Sequence, residues 1–192
     1  MQIEYEARFL SIDVDKATAV LREHGAELHQ PRTLMRRVVF KNNDIDAAGG
    51  WLRLRDEGHQ TTLTYKQSTA DVSAIDTILE AEITVSGFDE THHLLTAMGF
   101  QALRYQENYR EEWRLGDLRF DFDTWPDLDT YLEIEGPGQE SVKTAAMMLG
   151  LDMNTASFGS VDEVYLAILD RDILTEERLV FVAGAAGVPI EK

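Results

Sequence analysis

Apolar and charged residues alternate strictly in the first predicted strand, residues 2–10. From position 3 to position 9 the odd positions are apolar, while the even positions carry only charge, as Glu4, Glu6 and Arg8. A period of two is typical of a β-strand with one buried face. The pattern therefore predicts a strand whose polar face is entirely ionic.

The same alternation returns later in the chain, and segments with helical spacing lie between the strands. Asp13 and Asp89 are predicted helix N-caps, and Ser160 with Glu163 fits a capping box. The segment 41–50 is predicted to be a turn-rich connection. Further strands are predicted at 34–40, 51–55, 60–66, 78–85, 105–115, 118–124 and 130–136, and helices at 13–24, 89–98, 140–149 and 160–170.

Roughly eight strands joined by hairpin-length connections, with four helices between them, predict an α+β fold. A length of 192 residues suits one domain. We expect a single domain over residues 1–172, followed by a C-terminal tail, residues 173–192, whose pattern predicts no clear element.

Composition narrows the function classes. The formal net charge is −17, from 35 acids and 18 bases, which disfavours a general nucleic-acid binder. The chain has no Cys, so the sequence excludes disulfides and thiolate metal sites. No signal peptide is visible, and the longest apolar run, 179–190, is too short to span a bilayer. We expect a cytoplasmic protein without a membrane or nucleic-acid partner.

The position of the charges is more informative than their sum. In each strand they share one parity, and the apolar residues take the other. One interpretation places these ionic faces in solvent, around a sandwich core. The other places them inside a sheet closed into a barrel, with the helices outside. The charged positions are Glu4, Glu6, Arg8, Arg53, Arg55, Lys66, Glu80, Glu82, Arg110, Arg119, Asp121, Asp123, Glu133 and Glu135.

These residue types indicate a chemistry if the ionic faces are interior. Clustered carboxylates without His or Cys select hard cations, Mg²⁺ or Mn²⁺, over zinc. Arginine and lysine bind phosphate oxygens. Acids for metal and bases for phosphate together are typical of phosphoryl or nucleotidyl transfer.

The same residues give the chain a resemblance to the CYTH superfamily, the triphosphate tunnel metalloenzymes, over residues 2 to about 170. The segment 4–8 resembles the family's N-terminal ExExK, with Arg8 in place of the lysine. Residues 123–135 are similar to its C-terminal signature. Between them stand counterparts of its RxR pair, its strand lysine, its middle ExE and its later arginine, which are Arg53, Arg55, Lys66, Glu80, Glu82 and Arg110.

The resemblance implies a closed antiparallel eight-stranded tunnel with helices packed outside. It also implies residue roles. The catalytic residues would be Glu4, Glu6, Arg8 and Glu82; the metal ligands Glu4, Glu6, Asp123, Glu133 and Glu135; and the triphosphate clamp Arg53, Arg55, Lys66 and Arg110. The chain departs from the family pattern at Arg8, Arg37, Val39, Asn108 and Asp129.

We therefore expect a Mg²⁺- or Mn²⁺-dependent enzyme that hydrolyses inorganic tripolyphosphate or an organic triphosphate such as ATP or thiamine triphosphate. One alternative is a class IV adenylate cyclase, which makes cyclic AMP and pyrophosphate from ATP. A second is a non-catalytic polyphosphate or nucleotide binder. The expected assembly is a monomer or a homodimer.

Overall fold

The structure is a computed structural model that describes residues 2–68 and 78–182, with the side chains of 2–4 and 78 outside the description. The predicted role of the Glu4 side chain therefore cannot be compared with the structure, and residues 183–192, the end of the predicted tail, also lie outside the described residues. Five α-helices are described: α1 Val14–Glu23, α2 Asn43–Ala47, α3 Phe88–Ala97, α4 Gln139–Met148 and α5 Val161–Leu169. The strands are β1 Gln2–Phe9, β2 Glu27–Lys41, β3 Gly50–Asp56, β4 Thr61–Ser68, β5 Ile78–Val85, β6 Gln101–Leu115, β7 Leu118–Thr124, β8 Tyr131–Gly136 and β9 Arg178–Leu179.

All nine described strands belong to one sheet, in the order β2-β3-β4-β5-β1-β8-β7-β6-β9. Every neighbouring pair is antiparallel except β6 and β9, which run parallel. The predicted α+β class is confirmed. The sequence predicts roughly eight strands, whereas nine are described. The additional strand is the two-residue β9, which pairs with Tyr105 and Gln106.

Strand β2 is twice as long as predicted, and it pairs with β6 as well as with β3. The β2–β6 register runs from Glu27 opposite Arg114 to Lys41 opposite Gln101. Register shifts between Leu28 and Thr33 break the alternation in its first half. The pattern alone therefore identified only residues 34–40 as a strand.

The helices agree with the predicted segments, but some caps do not. Asp13 caps α1 as predicted and accepts a hydrogen bond from the Lys16 amide at 3.0 Å. The predicted cap at Asp89 is wrong, because α3 begins one residue earlier, after Gly87. The Ser160 side chain makes no cap hydrogen bond and donates to Asp162 instead.

The predicted turn at 41–50 contains the short helix α2. Asn42 is its N-cap, and the Asn42 side-chain oxygen accepts a hydrogen bond from the Ile45 amide at 3.0 Å. Asn, Asp and Gly are favoured both in turns and at helix caps, so this composition did not distinguish the two structures.

The apolar residues at alternate positions of the strands form one face of the sheet, and this face packs against helices. Phe9, Phe120 and Leu132 from the strands pack in one buried cluster with Leu21 of α1 and Val142 of α4. The charged residues have the opposite parity and face away from this cluster. Arg8, Arg110 and Asp123 on that opposite face are nevertheless at most 6% exposed. The interpretation with solvated ionic faces is therefore wrong for these residues.

A second buried cluster joins α5 and the segment that follows it to the sheet. Trp125 and Tyr131 pack there with Tyr165, Ile173 and Leu179. Tyr165 donates a hydrogen bond to the Pro126 carbonyl. This cluster holds the N-terminal end of α5 over one side of the charged face. No helix in the described ranges is long and apolar enough to cross a membrane.

Candidate functional site

The charged face of the sheet lines a cavity of about 340 Å³. Most of the residues predicted from the sequence to form the site lie on its wall. Among the described side chains, Glu135 is the predicted site residue that does not line it. The predicted residues on the wall are Glu6, Arg8, Arg53, Arg55, Lys66, Glu82, Arg110, Asp123 and Glu133.

Glu133 lies between two arginines. Arg8 donates from Nε and Nη2 to Glu133 Oε1 at 2.9 and 2.5 Å, and Arg110 Nη2 donates to Oε2 at 2.9 Å. Burial opposes ionisation of Glu133, but Arg8 and then Arg110 outweigh it and lower the pKa of this carboxyl well below its usual range. Glu133 is therefore a carboxylate whose two oxygens are already held.

Arg110 forms the most densely paired part of the cavity. Its Nε and Nη2 donate to the two oxygens of Asp123 at 2.7 and 2.6 Å, and its Nη1 donates to Asp121 at 2.5 Å. Burial opposes its charge, yet Asp121 and Asp123 raise the pKa of Arg110 well above its ordinary value. Bidentate pairing of this kind fixes both partners.

Two acids face each other at the junction of β1 and β8. Glu6 and Glu135 are direct Cα partners, and like charges in that relation repel. Nearby arginines relieve part of the repulsion, because Arg119 donates to Glu135 and Arg8 lies 3.5 Å from Glu6. Carboxylates brought together in this way are the donor type that a hard divalent cation prefers.

Cations dominate the side of the cavity formed by β3 and β4. Arg53 Nη2 lies 3.5 Å from Glu82 and 3.4 Å from the Thr64 hydroxyl, which donates to Glu82 at 2.7 Å. Lys66 Nζ lies 3.3 Å from Glu80. The separation between Arg53 and Glu82 is longer than those between Arg110 and its carboxylates, so Arg53 is less closely paired than Arg110.

Arg55 has an acidic partner just beyond the cavity. Its Nη2 lies 2.5 Å from Glu57, which also accepts hydrogen bonds from Gln60 and Thr62. Burial first, and then the charges of Arg53 and Arg110, lower the pKa of Arg55 to about 10. Burial and the two neighbouring arginines together outweigh the attraction of Glu57 and Glu82, which raises this pKa.

Arg37 is a cavity residue to which sequence reasoning assigned no role. Its Nη2 donates to the Asn108 side-chain oxygen at 2.7 Å, and its guanidinium lies 4.4 Å from the Trp125 ring centre. Burial, then Arg53 and Arg55, hold the pKa of Arg37 well below its usual range. The available signal was parity, since Arg37 shares the face of Val39 and lies opposite Arg55.

The described side chains include no group of three or more His, Asp or Glu placed to hold a metal ion. Two predicted ligands, Asp123 and Glu133, are engaged by Arg110. The donor chemistry still fits a hard cation, because the acids on the wall are carboxylates and Glu6 directly opposes Glu135. A divalent ion would therefore lie near the β1–β8 junction rather than at Asp123.

Solved structures with the same fold have low sequence identity to the chain. A protein of Pyrococcus horikoshii OT3 is 18% identical, with a TM-score of 0.66 over 81% of this chain and 94% of that chain. A Vibrio parahaemolyticus protein provisionally called an adenylate cyclase is 13% identical, with a TM-score of 0.72 over 85% and 97%. A Hippeastrum protein with a dominant triphosphatase activity is 16% identical, with a TM-score of 0.59 over 92% and 100%.

No curated protein gives a significant match to the chain. The CYTH domain matches residues 2–157, a span that contains β1 to β8 and all of the predicted site residues. The chain therefore belongs to the CYTH domain family.

Proposed function

We propose that the chain is a divalent-metal-dependent triphosphatase that hydrolyses inorganic tripolyphosphate or an organic triphosphate in this cavity. One observation carries the proposal: Arg53, Arg55 and Lys66, from two neighbouring strands, line one cavity in a protein of net charge −17. Such a concentration of cations inside an acidic molecule suits a polyanion. The dominant triphosphatase activity of the Hippeastrum protein supports the same reaction class.

We further infer that the sheet surrounds the substrate as a tunnel. The support is that β2 pairs with β6 from Glu27 to Lys41 along one side, and with β3 over residues 36–40 along the other. Each of the strands β1 to β8 thus has a hydrogen-bonded neighbour on both sides. A wall of this kind fixes charged side chains without needing mobile loops.

In this proposal the charged residues of the cavity have two roles, phosphate binding and the positioning of a carboxylate. Arg53, Arg55 and Lys66 bind the phosphate oxygens, whereas Arg110 is already held by acids and keeps Glu133 in place. Arg8, paired to the other oxygen of Glu133, has the same positioning role. Oriented charges on the cavity wall stabilise the negative charge that develops on the phosphate oxygens in the transition state.

Hydrolysis requires a water oxygen to bond to the terminal phosphorus. The bridging P–O bond breaks, and its electron pair leaves with the diphosphate oxygen. Glu82 is the proposed acceptor of the water proton, because its side chain is 36% exposed and oriented by Thr64. Guanidiniums on the bridging and terminal oxygens favour the departure of the leaving group.

Mg²⁺ or Mn²⁺ would be held at the β1–β8 junction by Glu6 and Glu135, with Glu4 from the same strand as Glu6. Glu133 and Asp123 would become ligands only by exchanging their contacts with Arg8 and Arg110. When bound, a divalent ion neutralises phosphate charge and acts as a Lewis acid. The proposed substrates are small triphosphates: tripolyphosphate, ATP or thiamine triphosphate.

An adenylate cyclase is the second candidate, and Trp51 is the observation that favours it. This half-buried ring lines the cavity beside Val39 and opposite Lys66, where it could stack on a base. In that reaction the 3′-hydroxyl of ATP attacks the α-phosphorus and pyrophosphate leaves. Hydrolysis is preferred because it needs only the phosphate-binding cations, whereas a cyclase also needs a base-binding pocket, for which Trp51 is the argument among the described residues.

A phosphate-release assay with tripolyphosphate and Mg²⁺ or Mn²⁺ tests the main proposal. Arg53→Met should lower kcat by on the order of 10²-fold, as does loss of other preorganised charged donors. Arg36→Met is the matched control, since Arg36 belongs to the same sheet but its side chain is 43% exposed and pairs with Asp56. Turnover that is unaffected by Arg53→Met would refute the assigned clamp.

A further inference from the structure

Arg37 occupies an electrostatically unfavourable position. It lies on β2 directly opposite Arg55 of β3, and Arg53 is two residues along the same face of β3. Like charges on directly opposite residues of neighbouring strands destabilise a sheet. The Arg37 side chain is buried, so bulk water does not screen this repulsion.

The described contacts of Arg37 are with neutral groups. In the described part of the chain, no carboxylate lies within 4 Å of its guanidinium; its contacts are the Asn108 oxygen and the Trp125 ring. The nearby carboxylate, Asp123, accepts two hydrogen bonds from Arg110 and one from Asn108. Arg37 is thus held in one orientation but is not neutralised.

Arg37 and Arg53 share a further feature. The Nε of each is buried and has no hydrogen-bond partner among the described residues. A buried guanidinium N–H without an acceptor is costly, and a ligand oxygen is the acceptor that would remove this cost. Two such donors on neighbouring strands indicate one anionic group between them.

We propose that Arg37 binds substrate directly and, with Arg53, holds a terminal dianionic phosphoryl group. This inference rests on the proposed triphosphate function and narrows its substrate class. Among the described residues, Arg37 has no carboxylate within 4 Å, and Arg53 has only the 3.5 Å contact with Glu82. Two such guanidiniums match a terminal phosphoryl group, which carries up to two negative charges, better than an internal one, which carries one. The site thus selects linear polyphosphates or triphosphate esters with an unsubstituted end.

Titration calorimetry in metal-depleted buffer tests this claim without turnover. The probes are linear tripolyphosphate, which has terminal phosphoryl groups, and cyclic trimetaphosphate, which has none. Arg37→Met should weaken tripolyphosphate binding by roughly 10- to 100-fold, the size of one or two charge-assisted hydrogen bonds. Its effect on trimetaphosphate should be less than about 3-fold, and Arg37→Lys should restore part of the loss, since Lys keeps the charge.

Arg36→Met is again the control, because Arg36 is the sequence neighbour of Arg37 on the opposite face of β2 and pairs with Asp56 at 3.0 Å. It should leave both affinities unchanged. The ligand-free melting temperature supplies a second readout. Arg37→Met should not lower it, because the variant removes an unpaired buried charge. A purely structural role for Arg37 predicts a lower melting temperature.

An equal loss of affinity for both probes, or none for either, would overturn the proposal. A lower ligand-free melting temperature with tripolyphosphate binding intact would overturn it as well. Failure of this inference can be distinguished from failure of the proposed activity. Binding that depends on Arg37 without any hydrolysis would support this inference and refute the proposed activity. Hydrolysis at an unchanged rate in Arg37→Met would support the proposed activity and refute this inference.

Discussion

Arg110 and Arg37 show two opposite uses of a buried guanidinium in one cavity. Arg110 contacts Asp121, Asp123 and Glu133, whereas Arg37 contacts an amide oxygen and an indole ring. The first arrangement is internally neutralised and positions carboxylates. The second leaves positive charge for a ligand. The contrast implies that the two residues respond differently to the same substitution.

Arg110→Met should destabilise the fold strongly, because three carboxylates lose their common partner. Breaking a buried ion pair from one side typically costs about 3–5 kcal/mol in the free energy of unfolding. Urea denaturation measures this cost. Arg114→Met serves as the control, since Arg114 is on the same strand with its side chain 49% exposed, and should change stability by less than about 0.5 kcal/mol. Equal effects would contradict the assigned network.

Glu57 gives a prediction for acid stability. Burial opposes its charge, but Arg55 and hydrogen bonds from Gln60 and Thr62 lower its pKa from 4.5 to about 2. A carboxyl whose pKa is lower in the folded state than in the unfolded state stabilises the fold at pH values above its unfolded pKa. This stabilisation is lost as the pH falls through the folded pKa. Glu57 therefore contributes on the order of 3 kcal/mol at neutral pH, which declines from about pH 5 towards pH 2.

Urea midpoints of the protein and of Glu57→Gln, measured between pH 6 and pH 3.5, check this expectation. The variant should be less stable at pH 6, and the gap should narrow as the pH falls. A gap independent of pH would mean that the Glu57 charge contributes nothing.

Parity along single strands was enough to predict most of the cavity wall. Glu6, Arg53 and Glu133 lie on it as the alternation indicated. Arg37 was not assigned a role, because the pairing of an arginine depends on neighbours from other strands that spacing does not reveal. The engagement of Asp123 by Arg110 was hidden for the same reason: one residue is on β7 and the other on β6.

At the scale of elements, regular strands and amphipathic helices were predictable, and their irregular ends were not. The strands predicted at 51–55 and 60–66 form the hairpin of β3 and β4, in which Arg53 lies opposite Thr64. The first half of β2 was missed because bulges interrupt its period. The short β9 could not be predicted, since two residues carry no periodic signal and its pairing with β6 is a long-range contact.

The segment predicted to be the tail begins with the 3₁₀ turn Ile173–Thr175. We expect this turn to anchor α5 to the sheet. Ile173 is 1% exposed and packs in the cluster with Trp125 and Tyr165. Ile173→Ala should cost about 2–4 kcal/mol through the cavity it leaves. Leu174→Ala, at a neighbouring site that is 49% exposed, should cost much less. Thermal unfolding of both variants measures the difference, and similar losses would contradict this anchoring role.

For the whole molecule, charge distribution explains how an acidic protein can hold a polyanion. The net charge of −17 belongs to the chain as a whole, while guanidiniums concentrate at the cavity wall. Cations in a poorly solvated cleft act on a ligand more strongly than charges at the surface, which salt screens. The net charge alone disfavours a general nucleic-acid binder, whereas the placement of the bases on the cavity wall favours a small polyanion.

A phosphorus NMR time course on the purified protein tests the proposed metal-dependent triphosphatase activity directly. Tripolyphosphate and ATP are offered together with Mg²⁺ and then Mn²⁺, and Glu6→Gln is the comparison variant. We expect orthophosphate to form from tripolyphosphate or from the γ-phosphate of ATP only with added metal, and Glu6→Gln to abolish its formation. A cyclic phosphate resonance with pyrophosphate would instead identify a cyclase, and unchanged spectra of both compounds would contradict the proposed triphosphatase activity towards them.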